Sequence, residues 1–227
     1  MGPRLSIIIP ALDEAAGIGA TLAALAPLRA AGHEVIVVDG GSSDGTPAVA
    51  RPLADRVLAA ARGRAAQMNA GADAAAGEIL LFLHADTQLP PDADRAVRDG
   101  LAASGAEWGR FDARIEGRSP LLALVAWLMN LRSRLTGIAT GDQAMFVTRA
   151  AFAAVGGFPA LALMEDVALS RRLKRLSPPL CLHERAVTSG RRWESRGVVR
   201  TIVLMWWLRL HYFLGASPER LRRIYYG

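Results

Sequence analysis

The residues best suited to chemistry are a histidine and an aspartate, two positions apart, at the end of an apolar run: Glu78-Ile79-Leu80-Leu81-Phe82-Leu83-His84-Ala85-Asp86-Thr87. Five consecutive apolar residues, 79–83, suit a strand buried on both faces of a parallel sheet. Ligands of such sheets collect outside the carboxyl ends of the strands. Side chains alternate with a period of two, so His84 and Asp86 are expected to leave the strand on one side, where a substrate would sit. The competing reading is a strand-to-helix turn in which Asp86 only helps to cap the next helix. Two other strand-like runs end in acids: residues 5–10 lead into Asp13-Glu14, and residues 34–38 into Asp39 and a Gly/Ser-rich loop. Three polar loops along one sheet edge favour a site over three unrelated caps. A further acidic pair, Glu165-Asp166, opens an amphipathic segment over 167–176, where ordinary helix-dipole partnering explains it equally well.

The elements carrying these loops follow from the pattern. Pro10 stops the first strand, and residues 15–30 are Ala/Leu-rich enough for a helix, weakened by Gly17 and Gly19. After the second strand a helix is expected near Thr46-Pro47, since proline is favoured at the first helical position. Residues 56–60 read as a short third strand, and the segment from Gly63 as a helix ending at Gly77, before the apolar run. Strands alternating with helices predict an α/β fold with a Rossmann-like, mostly parallel sheet and flanking helices. Beyond Pro90-Pro91 the pattern loosens. A helix is expected over 92–103, a strand of a mixed sheet over 108–115, and a helix under the sheet or at the site rim over 121–135. A short strand over 144–147 is entered through Gly141-Asp142-Gln143, and strand 180–187 precedes a final helix over 197–214.

Composition limits the alternatives. At 227 residues, 52% hydrophobic and 21% charged, the chain can bury a sizeable core. The single cysteine, Cys181, excludes an intramolecular disulfide and a cysteine-based metal site. No basic start followed by an apolar segment is present, which predicts a protein that is not secreted. The uncharged stretch 119–131 is too short to span a bilayer, and Arg200, Arg209 and His211 interrupt the apolar stretch 198–214. Charge is unevenly spread. Residues 1–170 hold 14 arginines against 18 acids, a net of −4, whereas residues 171–227 hold 13 basic against 3 acidic residues, a net of +10. A basic, aromatic C-terminal quarter suggests an anionic partner: a phosphorylated substrate, a membrane surface or a nucleic acid.

Taken together, the motifs resemble the family 2 glycosyltransferases, inverting enzymes of the GT-A fold that use nucleotide-sugar donors. Residues 6–14, Ser-Ile-Ile-Ile-Pro-Ala-Leu-Asp-Glu, are similar to the family's opening strand and acidic turn. Residues 37–46 resemble its second-strand signature, with Gly40 where a second aspartate is common. Gly63-Arg64 through Asn69-Ala70-Gly71 resembles the helix-opening basic/asparagine motif, and His84-Ala85-Asp86 falls where the family has Asp-x-Asp. Gly156-Gly157-Phe158 with Glu165-Asp166 is similar to the motif supplying the catalytic base. Ser189-Gly190-Arg191-Arg192-Trp193 resembles Gln-x-x-Arg-Trp without its glutamine. The resemblance runs over roughly residues 4–195, which predicts a catalytic domain over 1–195 and a basic, aromatic helical extension over 196–227. The His-Ala-Asp variant resembles a bacterial subgroup.

The resemblance implies roles. Pro10, Asp13, Glu14, Asp39, Arg64, Asn69 and Asp86 would bind the donor, with a UDP-sugar expected first and Asp39 reading the base. Asp86 would hold a divalent cation, Mn²⁺ or Mg²⁺, to neutralise the leaving diphosphate. His84 would bind that metal, contact the phosphates or orient Asp86; imidazole suits Mn²⁺ better than Mg²⁺. Asp166 would take the proton of the acceptor hydroxyl, with Glu165 as its neighbour. Asp142, Arg192 and Trp193 would serve a hydroxyl acceptor of unknown identity, with a lipid-linked one among the candidates. The final helix either packs on the body or lies at an anionic membrane surface, with arginines 192, 196, 200, 209, 220, 222 and 223 near the lipid. The expected location is the cytoplasm, with the inner face of the cell membrane as a variant. A nucleotidyltransferase of similar fold and a non-catalytic nucleotide- or membrane-binding protein are the alternatives. A nicotinamide enzyme is incompatible with Ala11-Leu12-Asp13-Glu14 after strand one, and no nucleic-acid recognition motif is present.

Overall fold

The computed structural model describes residues 2–226. Its first half alternates strands and helices: β1 (Leu5–Ala11), α1 (Ala15–Ala24), α2 (Ala26–Ala30), β2 (Glu34–Asp39), α3 (Thr46–Ala50), β3 (Arg56–Ala59), α4 (Arg64–Ala74) and β4 (Ile79–Phe82). Then follow β5 (Thr87–Gln88), α5 (Ala93–Ser104), β6 (Trp108–Glu116), α6 (Leu121–Thr136), a 3₁₀ turn (Gly141–Gln143), β7 (Phe146–Thr148), α7 (Arg149–Ala154), α8 (Glu165–Leu173) and β8 (Leu180–Ser189). The chain closes with α9 (Arg191–Arg196), α10 (Val198–Phe213) and α11 (Pro218–Tyr226).

The strands form one sheet in the order β3-β2-β1-β4-β7-β6-β8-β5. The first four are mutually parallel, β7 is antiparallel to β4 and β6, and β8 runs parallel to β6. Alternation along the buried strands explains the layering. Ile7, Ile9, Val35, Val37 and Leu81 point to one face, with Leu22 of α1 and Val97 of α5. Ile8, Ile36, Val38, Leu80 and Phe82 point to the other, with Met68 of α4 and Leu169 of α8. Both faces are therefore covered, as the unbroken apolar runs require. Phe82, Phe152 and Phe158 pack as a ring cluster on the second face, their centroids 4.8–5.7 Å apart.

Several boundaries differ from the sequence expectation for identifiable reasons. The helix expected over 15–30 is two helices, because Pro27 begins a new one. Strand β4 ends at Phe82, and the chain turns at once, with the Thr87 amide donating to the His84 carbonyl. His84 and Asp86 thus sit in a turn, and strand alternation does not set their directions. The strand expected to begin at residue 144 begins at Phe146, because Ala144 has a left-handed backbone (φ 44°). Strand β5 and helices α7, α9 and α11 were not anticipated. Helix α7 starts where the Thr148 hydroxyl accepts from the Ala151 amide, a single-residue cap within an Ala-rich segment.

The last two helices pack back on the body. Leu208, Leu221 and Tyr225 share a buried cluster with Ile138, Met164 and Val167. Among the described residues no helix is long and apolar enough to cross a membrane.

Candidate active site

The carboxyl ends of β1 and β4, the start of α4, the 3₁₀ turn, the start of α8 and the helices α6 and α10 enclose a cleft of about 1120 Å³. This volume lies at the upper end of ordinary small-molecule sites, which commonly occupy about 300–1,000 Å³.

The sheet-edge wall carries Pro10, Asp13, Glu14, Arg64 and Asp86. Asp13 is held in a left-handed conformation (φ 53°); its carboxylate accepts from the Ser43 amide at 2.8 Å, and its own amide donates to the Ser42 hydroxyl. The Glu14 carboxylate pairs with Arg191 at 3.1 Å, tying this loop to α9. Asp86 makes no hydrogen bond or ion pair through its carboxylate to another described residue, while its backbone carbonyl accepts from the Ser189 amide. Arg64 approaches Glu165 at 3.8 Å.

Two predicted donor residues are engaged elsewhere. The Asp39 carboxylate accepts from the amides of Gly41 and Ser42 and from the Ser42 hydroxyl; it shapes its own loop and does not line the cleft. The Asn69 amide donates to the Phe158 carbonyl at 2.9 Å and accepts from the Phe158 amide at 3.0 Å. It clamps α4 to the loop before α8 and also lies outside the cleft lining. A residue missed by sequence reasoning, Gln67, donates to the carbonyls of both Ala11 and Val38 at 2.8 Å and so locks the ends of β1 and β2 together. A Cβ on Gly40 would meet this side chain at 3.0 Å. A side chain at position 40 would press on the end of the Gln67 side chain by a few tenths of an ångström.

The opposite wall carries the acids of the second half. Asp166 accepts from the Gly141 amide at 2.9 Å and from the Val167 amide of its own helix at 2.7 Å. It is thereby fixed at the amino end of α8, where the helix dipole favours negative charge. Met164, which caps the amino end of α8, is left-handed (φ 67°), one of several strained backbones at this site. Glu165 is 4% exposed. Burial and then the adjacent Asp166 push its carboxyl above the ordinary range, with Arg64 opposing. The Asp142 carboxylate lies 3.5 Å from Nδ1 of His84. Burial pushes Asp142 up, but the hydrogen bond and charge of His84, with Arg64 and Arg192 behind it, hold the carboxyl below its usual value. The other side of the His84 ring lies over Gly141, where an added Cβ would come within 2.2 Å of Nε2. Both imidazole nitrogens thus face the 3₁₀ turn.

That turn is itself positioned from the sheet. Thr140 and Gln143 form a reciprocal capping box, the Gln143 side chain donates to Asn130 of α6 at 3.2 Å, and Asn130 exchanges two bonds with the backbone of Ala113 in β6. Trp193 packs against the Ala113, Ile115 and Leu122 cluster while its edge lines the cleft. Arg192 donates to the Tyr225 hydroxyl at 2.7 Å, and Arg192 and Arg196 both lie 5.7 Å from the Tyr225 ring centre. Both of these arginines thereby tie α9 to α11, Arg192 through the Tyr225 hydroxyl and Arg196 through its backbone carbonyl. Arg209 turns into the cleft, beside Arg132 of α6, a residue not singled out from the sequence. Burial and the neighbouring Arg209 bring the Arg132 guanidinium down to about 10.

Among the described residues no group of three or more His, Cys, Asp and Glu is arranged to hold a metal unaided. A single open carboxylate at Asp86 fits a hard cation whose remaining ligands are diphosphate oxygens and water.

The model for glycosyl transferase family 2 matches residues 6–150, and the chain belongs to that family. Over 94 residues it is 39% identical to a PGL/p-HBAD biosynthesis glycosyltransferase of Mycobacterium tuberculosis, a match covering 38% of this chain and 37% of that relative. It is 26% identical over 244 residues to the beta-monoglucosyldiacylglycerol synthase of Synechocystis sp., covering 91% of this chain and 50% of the relative. The chain therefore spans half or less of these relatives' lengths. Among solved structures, a mannosyltransferase from Pyrobaculum calidifontis, in complex with GDP-Man and Mn²⁺, superimposes with a TM-score of 0.65 at 22% identity, covering 99% of this chain and 68% of that one. The fold is GT-A.

Proposed function

We propose that the protein is an inverting glycosyltransferase that moves a sugar from a nucleotide-diphosphate donor to a hydroxyl acceptor. The observation that carries this reading is the Asp166 carboxylate, fixed by the Gly141 amide in a cleft that also presents the open carboxylate of Asp86. The sheet-edge wall of Asp13, Glu14 and Arg64 receives the nucleotide, and residues 196–227 act as an extension that completes the acceptor wall. Asp86 holds a divalent cation, which when bound offsets the charge growing on the departing diphosphate. Asp166 takes the acceptor's hydroxyl proton as that oxygen bonds to the anomeric carbon. The bond from that carbon to the diphosphate oxygen breaks on the opposite face, and inversion follows. His84, with Nδ1 on Asp142, orients this acid toward the acceptor instead of ligating the metal. The acids Asp142 and Asp166 thus divide the work: one positions, one removes the proton.

A uridine nucleotide is the first expectation, and a guanosine one is the alternative drawn from the archaeal structure. Thermal-shift measurement against UDP, GDP and dTDP, each with Mn²⁺ or Mg²⁺, should raise the melting temperature with one base over the others and only with metal. No shift with any nucleotide overturns the assignment.

The exposed outer faces of α6 and α10 favour a membrane-associated acceptor. Trp127, Leu135, Val203, Trp206 and Phe213 are 57–77% exposed on α6 and α10, and Leu135 and Trp206 also line the cleft. Such a face, flanked by the basic C-terminal quarter, suits partial insertion into an anionic leaflet. Flotation with liposomes should carry the protein upward when anionic lipid is present, less so in high salt; the absence of any salt-sensitive binding removes this part of the reading.

A further inference from the structure

Arg132 of α6 and Arg209 of α10 line one cleft with part of their donor capacity unused. Nε and Nη2 of Arg132 and Nε of Arg209 are closed off from solvent with no hydrogen-bond acceptor among the described residues. A guanidinium has five N–H donors and cannot shed its charge easily, so leaving them unmatched is unfavourable unless something else supplies the oxygens. Arg132 also feels the like charges of Arg209 and Arg110, an arrangement that a protein built only for stability would avoid. Both line the same cleft as Asp142 and Asp166, and both feel the field of these two acids. They come from the helical wall, whereas Arg64 and Asp86 come from the sheet edge. Around them the wall is apolar, with Leu128, Leu131, Met205 and Trp206.

We propose that Arg132 and Arg209 form a subsite for an anionic oxygen group, a phosphate or carboxylate, carried by the acceptor and held beside Asp166. The forked donors of two arginines suit the tetrahedral or planar array of such oxygens. The group is met by the guanidinium nitrogens that are not closed off, Nη1 of Arg132 and both Nη of Arg209, which make no hydrogen bond to another described residue, and it anchors the acceptor so that its hydroxyl meets Asp166. The inference rests on the glycosyltransferase reading for the word acceptor, but the subsite itself is tested independently of it.

The test uses the whole chain saturated with UDP and Mn²⁺, so that the donor side is filled, and titrates glycerol 3-phosphate, glycerol and octanoyl lysophosphatidate by calorimetry. The two phosphate-bearing probes should bind and glycerol should not. Arg132→Met and Arg209→Met should each weaken probe binding by about tenfold or more, while UDP affinity stays within about twofold. Both variants should also melt at a higher temperature than the native protein without ligand, because an unmatched charge has been removed. Arg132→Lys and Arg209→Lys, which keep charge but lose the fork, should give intermediate binding and cover the case of a misfolded methionine variant. Tighter binding of the acylated probe assigns the anionic group to a lipid, and equal binding assigns it to a soluble ester. No binding of either phosphate probe overturns the subsite. So does loss of UDP affinity in the arginine variants, which would give the pair to the donor diphosphate. A lowered melting temperature with unchanged probe binding would make the pair structural. Failure of UDP to bind at all would strike the parent reading and not the subsite.

Discussion

Asp166→Asn should lower turnover by about 10²–10⁴-fold, the usual contribution of a positioned general base, and leave nucleotide affinity within about twofold. The substitution is close to isosteric, and its one remaining oxygen can serve either the Gly141 or the Val167 amide but not both, which costs about 1–3 kcal/mol of stability and leaves α8 in place. What is lost is the proton acceptor. Nucleotide release from the sugar donor, to water or to the native acceptor, reads turnover, and calorimetry with the nucleoside diphosphate reads binding. Glu165→Gln is the necessary companion. Glu165 is buried and its carboxyl is already pushed toward the neutral form, so the amide should be tolerated with a smaller loss of rate. If the Gln variant is dead and the Asn variant turns over, the base is Glu165 and the assignment falls.

The complementary result is expected from Asp86→Ala. Metal-dependent nucleotide binding should weaken by about 100-fold or more, since neutralising a diphosphate with a divalent cation is worth several kcal/mol. Binding without metal should be the same in variant and native protein. The fold should be little affected, within about 0.5 kcal/mol, because the removed carboxylate makes no hydrogen bond to another described residue. Calorimetric titration of UDP with Mn²⁺ and with chelator separates these terms. Equal metal dependence in the two proteins would remove Asp86 from the metal and leave His84 to be reconsidered. The two variants thus fail in opposite ways, one in chemistry and one in binding.

How far the site could be read from the sequence depends on how local each residue's partners are. Asp13, Asp86, Asp142 and Asp166 follow strands or turns whose signals lie within a few residues, and all four reach the cleft. The parallel half of the sheet was legible for the same reason, from its uninterrupted apolar runs. Asn69 was not, because its amide is used by Phe158, 89 positions away. Gln67 was silent, since a glutamine in a helix says nothing about two main-chain carbonyls on different strands. Arg132 lies just beyond the uncharged stretch that drew attention, and Arg209 interrupts an apolar helix. That interruption is the available signal, and it fits a helix packed on the body and one at a membrane surface equally. Only the packing of α6 and α10 shows that both turn inward.

The order of the strands has one more consequence, for how such a protein diversifies. The wall proposed for the nucleotide is built from residues 10–86, a contiguous segment whose strands pair with their near neighbours in sequence. The wall proposed for the acceptor is assembled from α6, α8 and α10, elements that begin only after residue 120. A single crossover between β5 and α6 therefore exchanges one wall without rewriting the other. Under the proposed roles, chimeras joined there inherit their sugar donor from one parent and their acceptor from the other. The seam they must respect includes the β4–β7 and β5–β8 strand pairings, the Phe82–Phe152–Phe158 cluster, the His84–Asp142 and Glu14–Arg191 pairs and the bracket between Asn69 and Phe158.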